Sequence, residues 1–153
     1  MKILISPYSQ KMRNNEENPK NFPHWKEVVN NLKQLNYEII QIGVFGEEKI
    51  NENVDQFLLN LPQDEIEKLI KECDAWISVD NFLPHLCNLI NIPGIVIFSK
   101  SNPKIFGYPQ NINLLKDEKF LRWNQFGTWE EETFDIDSFV TAKTVISSIL
   151  NFK

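Results

Sequence analysis

The chain has 153 residues, of which 42% are hydrophobic and 24% charged, a composition typical of one globular domain with its own core. The formal net charge of −5 comes from acidic side chains spread along the chain, which excludes the basic stripe of a nucleic-acid backbone binder. No apolar run approaches the ~20 residues needed to cross a bilayer, and the two Cys and two His lack the spacing of a structural zinc site. We expect a cytoplasmic protein without a metal, whose first residues form a strand and not a signal peptide.

The first third of the chain predicts two strands separated by a helix. "KILIS" is an apolar strand, and the polar segment "PYSQKMRNNEENPKNFP" is a long loop. A helix begins near Pro23, and "YEIIQIGV" and "FGEEKINEN" follow as a strand and a loop. Residues 54–61 fit either a short helix or an extended segment. The helix is indicated by apolar residues at helical spacing, namely Trp25, Val28, Val29, Leu32 and Leu35.

The rest of the chain continues the alternation of helices and strands. The segments "PQDEIEKLIKEC" and "NFLPHLCNLIN" predict helices, whereas "AWISVD" and "GIVIFSK" predict strands. Cys73 and Cys87 fall on the apolar faces of these helices, so we expect buried thiols. Residues 102–135 form a long irregular stretch, and a last helix runs from about Ser138 to Leu150. The aromatic residues of the irregular stretch are expected to pack over a sheet edge: Trp123, Phe126 and Trp129.

Strands that alternate with amphipathic helices predict an α/β fold with an open, mostly parallel sheet and helices on both faces. With right-handed crossovers, residues 1–153 form a single Rossmann-like domain. Ligands of such domains bind outside the carboxyl ends of the strands. Four segments therefore meet at one rim of the sheet, and they read "SPYSQKMRN", "GVFGEE", "DNFLPH" and "SKSNPKIFGY".

Asp80 and His85 stand at the start of the helix that follows one of these strands, and each has two interpretations. Asp80 or Asn81 could simply cap the helix, with Pro84 in its first turn. Alternatively, Asp80 faces the rim and binds a hydroxyl or amine of a ligand, while free N–H groups of the next turn take a phosphate. His85 lies beside the buried stripe of the helix, where it is either structural or a ligand group.

The loop after the following strand offers polar and aromatic groups to the same rim. Ser99 and Ser101 come directly after the strand, and Phe106 and Tyr108 could wall a flat ring. The alternative for this composition is an ordinary surface loop.

Charged residues in the other two rim segments complete the candidates. Glu47 and Glu48 could bind ribose hydroxyls or remain solvated, and Lys11, Arg13 and Lys20 could meet a phosphate or lie in a solvated loop. The chain has no P-loop, no nucleophile elbow and no HExxH motif, so these patterns assign no catalytic residue.

"SVDNFLPHL" followed by "GIVIFSKSNPKIFGY" resembles glycosyltransferase family 9, the heptosyltransferase-like enzymes of the GT-B fold. The resemblance extends back to "ISPYS…NPKNFPHWKEVVNNL" and "YEIIQIGVFGEE", and it implies the nucleotide-sugar-binding C-terminal half of that fold. It further implies that Asp80, Asn81 and His85 line the sugar and diphosphate of an ADP-heptose-type donor. Glu47 or Glu48 would bind the ribose, and Lys20 with Tyr8 or Ser9 would approach the phosphates. Two residues depart from the family pattern, because Phe82 and Ser99 stand where many members have Gly.

The resemblance covers one Rossmann half, whereas it implies that the acceptor site and the catalytic base belong to the other half. We expect a standalone domain that binds a nucleotide or nucleotide-sugar and needs no further cofactor. Inverting glycosyl transfer would then require a partner chain or a second copy to supply the acceptor half. The alternatives are a non-enzymatic protein that senses or sequesters a nucleotide derivative, and an assembly protein that keeps only the fold.

Overall fold

The computed structural model describes residues 1–152 and has one six-stranded sheet in which every strand pairing is parallel. The strand order is β3-β2-β1-β4-β5-β6. The strands are β1 (Lys2–Ser6), β2 (Glu38–Gly43), β3 (Gln56–Leu59), β4 (Ala75–Val79), β5 (Ile95–Ile97) and β6 (Ile112–Leu114). The predicted α/β fold with a parallel sheet is confirmed.

Helices cover both faces of this sheet. They are α1 (Trp25–Gln34), α2 (Gln63–Glu72), α3 (Phe82–Leu89), α4 (Pro103–Phe106) and α5 (Ala142–Leu150). Because successive side chains of a strand point to opposite faces, Ile3 and Ile5 pack with α1 and α5, whereas Leu4 packs with α2 and α3. Short 3-10 turns occur at Glu118–Phe120, Trp129–Glu131 and Ile136–Ser138.

Helices α1 and α3 end in the same way, on an asparagine in the left-handed region. Asn36 has φ 62° and Asn91 has φ 58°, and asparagine tolerates this conformation better than most residues. In each case the following N–H donates back to a carbonyl of the last turn, Tyr37 to Leu32 (3.1 Å) and Ile92 to Cys87 (3.0 Å). These bonds satisfy helix carbonyls and turn the chain sharply into β2 and β5.

Strand β4 carries a fully buried tryptophan, Trp76, which is 1% exposed. Its indole lies against the backbone at Gly94, just before β5. A Cβ atom at Gly94 would stand 2.1 Å from the indole, so this position accepts no side chain without a shift of the ring. The indole Nε1 donates to the carbonyl oxygen of Ile92 at 3.2 Å.

Helix α5 packs against α1 on one face of the sheet. It begins at Ala142, because the Thr141 side chain caps it by accepting the N–H of Thr144, whereas Ser138 belongs to a separate 3-10 turn. The expected start near Ser138 was therefore four residues early. The buried apolar residues of this segment join the core under α1, namely Phe139, Val140, Ala142, Val145 and Ile149.

Two further expectations about secondary structure are resolved. The ambiguous segment 54–61 contains an edge strand, β3, which pairs with β2. The irregular stretch 102–135 hides a second edge strand, β6, which has only three half-buried residues and pairs with β5.

The expected packing of the late aromatic residues was wrong for Trp123, which is 100% exposed, and for Phe126, which is largely exposed. The expected burial of both thiols holds for Cys87, whereas Cys73 is half-buried. Burial raises the pKa of Cys87 to about 12 and that of Cys73 to about 11, so neither is a reactive thiolate at neutral pH. Within residues 1–152, no helix is both long enough and apolar enough to cross a membrane.

Candidate functional site

A polar cavity of about 700 Å³ opens at the carboxyl ends of β1, β2 and β4. Along the chain, β1 leads to β2 and β3 on one side, and β4 leads to β5 and β6 on the other, so the topological switch point lies between β1 and β4. This is the position at which open α/β sheets bind ligands. Eight of the sequence-predicted candidates line this polar cavity: Tyr8, Ser9, Lys11, Arg13, Lys20, Glu47, Asp80 and Asn81.

Asp80 and Lys20 form an ion pair in the wall of the polar cavity. The Lys20 Nζ lies 3.2 Å from Asp80 Oδ2, and Asp80 is only 8% exposed. The Asp80 carbonyl oxygen accepts a hydrogen bond from the Ser9 hydroxyl at 2.8 Å, which holds the first loop against the end of β4. The only cation contacting the Asp80 carboxylate within the described residues is therefore one that sequence reasoning had assigned to a phosphate.

Asn81, and not Asp80, is the cap of helix α3. Its Oδ1 accepts the N–H of Leu83 at 3.0 Å. Its Nδ2 donates to the Ser6 hydroxyl at 2.9 Å and to the Tyr8 carbonyl at 3.1 Å. The capping interpretation thus belongs to Asn81, and the Asp80 side chain remains available to the cavity.

Glu47 faces the polar cavity, whereas the side chain of Glu48 does not line it. Glu47 Oε1 accepts the N–H of Val44 at 2.8 Å. Burial raises the pKa of Glu47 above its ordinary value, although the Val44 N–H opposes the rise. Burial also raises the pKa of Tyr8, with help from the negative charges of Glu48, Glu17 and Glu47. The cavity thus holds one partly desolvated carboxyl group beside a neutral phenol.

The outer wall of the polar cavity comes from a segment that sequence reasoning missed, Thr128 to Glu130. The Lys20 Nζ lies 4.8 Å from the centroid of the Trp129 ring, and Glu130 accepts the N–H of Arg13 at 3.0 Å. Trp129 is far from Lys20 in the chain and lies in a stretch without periodicity, so only its aromatic character could have marked it.

An apolar groove of about 420 Å³ adjoins the polar cavity. It lies between the ends of β2 and β3 and the helices α2 and α3. Three residues line both spaces, Gly43, Val44 and Phe82. Phe82, which is 47% exposed, stands at this junction. The other walls of the groove are mostly apolar, with Ile42, Leu58, Leu61, Ile66, Leu86 and Leu89 among them.

His85 lines the apolar groove and not the polar cavity. Its Nδ1 lies 2.7 Å from the Tyr108 hydroxyl, and the two rings meet edge to face at 5.5 Å. Asp80 and His85 therefore serve different spaces, although they are five residues apart. Tyr108 lines neither space and is connected to the apolar groove by its contact with His85.

The other predicted rim residues lie outside both spaces. Ser99 is buried and donates to the carbonyl oxygen of Pro19 at 2.9 Å, so it fixes the backbone next to Lys20. Ser101 is buried without a hydrogen-bond partner among the described residues, and Phe106 packs edge to face on Phe126 at 5.7 Å. In the part of the chain that the structure describes, no three His, Cys, Asp or Glu side chains are grouped to hold a metal ion.

An all-parallel sheet with a polar cavity at its switch point defines the Rossmann-like class of α/β domains. Residues 2–130 match the model of glycosyltransferase family 9 (heptosyltransferase), and the chain belongs to this family. The resemblance inferred from the Asp80-to-His85 motif and its sequel is thereby confirmed. No curated protein matches the chain by sequence.

Solved heptosyltransferases share the fold. ADP-heptose LPS heptosyltransferase II from E. coli superposes with a TM-score of 0.71 at 16% identity, over 97% of this chain and 45% of that protein. The structure of E. coli heptosyltransferase WaaC with ADP superposes with a TM-score of 0.62 at 16% identity, over 96% of this chain and 43% of that protein. The dodecameric, iron-containing heptosyltransferase TibC in complex with ADP-D-beta-D-heptose gives 0.62 at 20% identity, over 92% and 35%; TibC comes from enterotoxigenic E. coli H10407. The chain thus spans less than half the length of these proteins.

Proposed function

We propose that this domain binds a nucleotide-sugar, with the base in the apolar groove and the diphosphate in the polar cavity, and that it serves glycosyl transfer. The observation that carries the proposal is the continuity of the two spaces, which share Gly43, Val44 and Phe82 as walls at the end of β2. A nucleotide has the same division into a flat apolar part and a charged part.

The apolar groove suits a nucleobase. Its volume and apolar walls are those of a small-molecule subsite, and Phe82 offers a ring face for stacking. His85 contributes a polar edge to this groove, and the Tyr108 hydroxyl holds its ring. A base edge has donors and acceptors that such a group could pair with.

The polar cavity suits a diphosphate followed by a sugar. The first turn of α3 lies at its wall and contains no acidic residue. Pro84 has no N–H and the Leu83 N–H already donates to Asn81, so the Phe82 N–H and the helix dipole are what favour an anion here. Lys20 supplies a cation once its ammonium turns from Asp80 to the phosphate. The freed Asp80 carboxylate would then accept hydrogen bonds from hydroxyl groups of the sugar.

In this proposal the acceptor and the base that activates it come from a second half, contributed by another segment or chain or by a further copy. The E. coli relatives support a nucleotide-sugar donor, because the structure of WaaC contains ADP and that of TibC contains ADP-D-beta-D-heptose. The coupling of donor and acceptor halves is what would make binding catalytic, since binding the donor alone does not lower the barrier to transfer.

Thermal unfolding with nucleotides tests the proposal directly. ADP, UDP, GDP and their sugar derivatives are each added in excess, and a ligand at a hundred times its Kd is expected to stabilise the fold by about 2.7 kcal/mol. Absence of stabilisation with every nucleotide would contradict the proposal. Incubation with ADP-heptose followed by denaturation then tests for turnover: released sugar indicates an enzyme, whereas intact ligand fits both a sensor or sequestering protein and a transferase without its acceptor half.

Glu47 gives the binding a predictable pH dependence. Its carboxylate accepts hydrogen bonds from ribose hydroxyls more strongly when ionised, and burial raises its pKa above the ordinary value. Affinity for ADP is therefore full above this raised pKa and falls as the pH is lowered through it, at a higher pH than an ordinary glutamate would cause. We expect Glu47→Gln to weaken ADP binding about tenfold at neutral pH, because one charge-assisted bond becomes a neutral one.

Calorimetric titrations across the acidic and neutral range check this result. The same titrations of Glu47→Gln subtract the ionisation of the phosphate itself, which both proteins share. Glu48→Gln is the matched control, since this neighbouring side chain is exposed and does not line the polar cavity. Equal effects of the two substitutions would remove Glu47 from the ribose site.

A further inference from the structure

Lys20 belongs to a long loop without regular structure, yet its ammonium is held at one point of the polar cavity. Two groups hold it, the Asp80 carboxylate at 3.2 Å and the ring of Trp129, whose centroid is 4.8 Å from Nζ. The two contacts differ in kind. A carboxylate competes with a phosphate for the cation, whereas an aromatic ring attracts the cation without repelling an anion beyond it.

The Trp129 ring also contacts a buried cation. The guanidinium carbon of Arg122 lies 4.2 Å from the centroid of the Trp129 ring, and the Arg122 side chain is 0% exposed. The Arg122 Nη2 donates to the carbonyl oxygen of Thr128 at 3.0 Å, which fixes the backbone just before Trp129.

A carboxylate links this arrangement to the loop that follows β5. Glu132 Oε1 lies 3.5 Å from Arg122 Nε, and its Oε2 lies 3.4 Å from the Nζ of Lys100. Within the described residues, Nε and Nη1 of Arg122 nonetheless lack hydrogen-bond partners. A buried cation with incomplete hydrogen bonding is costly, and an apolar side chain would pack at this position at lower cost. The position of the Arg122 guanidinium, close to the Trp129 ring, suits the support of that ring.

We propose that Trp129 is a positioning residue that keeps the Lys20 ammonium in the polar cavity after Asp80 gives it up to a ligand phosphate. Arg122 fixes the ring that performs this task. The inference rests on the proposed function, in that the ligand it concerns is a nucleoside diphosphate or its sugar derivative. Asp80 holds Lys20 in the empty cavity, and Trp129 holds it in both the empty and the occupied cavity.

Calorimetric binding of ADP and of adenosine tests the inference. Trp129→Leu is expected to weaken ADP binding about fivefold to tenfold, as expected for loss of one partly desolvated cation–π contact, and to change adenosine binding by less than about twofold. Trp129→Phe retains a ring and is expected to restore most of the ADP affinity. Trp123→Leu, at a fully exposed tryptophan, is the matched control. Equal losses for ADP and adenosine would indicate a merely structural role and overturn the inference, and so would unchanged ADP affinity in Trp129→Leu.

A second measurement needs no nucleotide and separates this inference from the proposed function. Acetylation of Lys20 by acetic anhydride, read by peptide mass spectrometry, is expected to quicken in Trp129→Leu and to stay near the wild-type rate in Trp129→Phe. Lys26, which is exposed and does not line the polar cavity, serves as the internal standard. An unchanged Lys20 rate in Trp129→Leu overturns the positioning role whether or not ADP binds. Failure of ADP to bind the wild-type protein, together with a quickened Lys20 rate, refutes only the proposed function.

Discussion

Replacing Lys20 with methionine is expected to weaken ADP binding by about 100-fold while changing adenosine affinity by less than about twofold. Methionine keeps most of the length and the apolar stem of lysine, so the substitution removes mainly the charge. A hydrogen bond to a charged group contributes about 1.5–3 kcal/mol, and the unpaired Asp80 carboxylate left behind would add repulsion against the phosphate.

Calorimetry with ADP and adenosine measures both effects. Lys26→Met provides the matched control, because Lys26 is an exposed residue of α1 that does not line the polar cavity. The double variant Lys20→Met with Asp80→Asn is expected to recover part of the lost affinity, since it removes the unpaired carboxylate. An ADP affinity that survives Lys20→Met would move the diphosphate away from this cavity.

The largest expected effect on stability is that of Trp76→Ala, which should lower the free energy of unfolding by about 3–5 kcal/mol. Trp76 is 1% exposed in β4, one of the two central strands, and its removal leaves a cavity against the backbone at Gly94. Such a loss is a large fraction of the ~5–15 kcal/mol that a domain of this kind has in total.

Urea unfolding followed by circular dichroism checks this expectation. Trp123→Ala removes the same side chain from a fully exposed position and should change stability by no more than about 0.5 kcal/mol. Gly94→Ala should be harmful in the wild-type protein and tolerated in Trp76→Ala, because the atom it would strike is then gone. Similar losses for the two tryptophan variants would contradict the packing described for β4.

The rim of the sheet could be predicted from sequence because its elements follow one another with strong periodicity. Asp80 and Asn81 come directly after an apolar strand and before an amphipathic helix, and that order alone brings them to the ligand edge of a parallel sheet. The same reasoning could not separate Asp80 from His85. Asp80 lines the polar cavity and His85 the apolar groove, on either side of Phe82. Which space each side chain faces depends on how α3 is rotated about its axis, and residue spacing does not determine this rotation.

The parts that sequence reasoning missed are those with few residues or distant partners. Strand β6 has three residues and one neighbouring strand, so it carries no period to detect. Trp129 is positioned by contacts with Arg122 and Lys20. These residues lie in loops that only the tertiary fold brings together.

Because α5 packs on α1, the end of the family match and the end of the hydrophobic core lie at different points of the chain. The family match ends at residue 130, but the hydrophobic core continues to α5. Phe139, Val140, Val145 and Ile149 bury apolar surface under α1, at roughly 1.5–3 kcal/mol for each large side chain. That sum is comparable with the whole stability of a small domain, so a fragment trimmed to the homologous region would lose the lining of one sheet face. The superposition on heptosyltransferase II covers 97% of this chain, so the shared fold also extends beyond the family match.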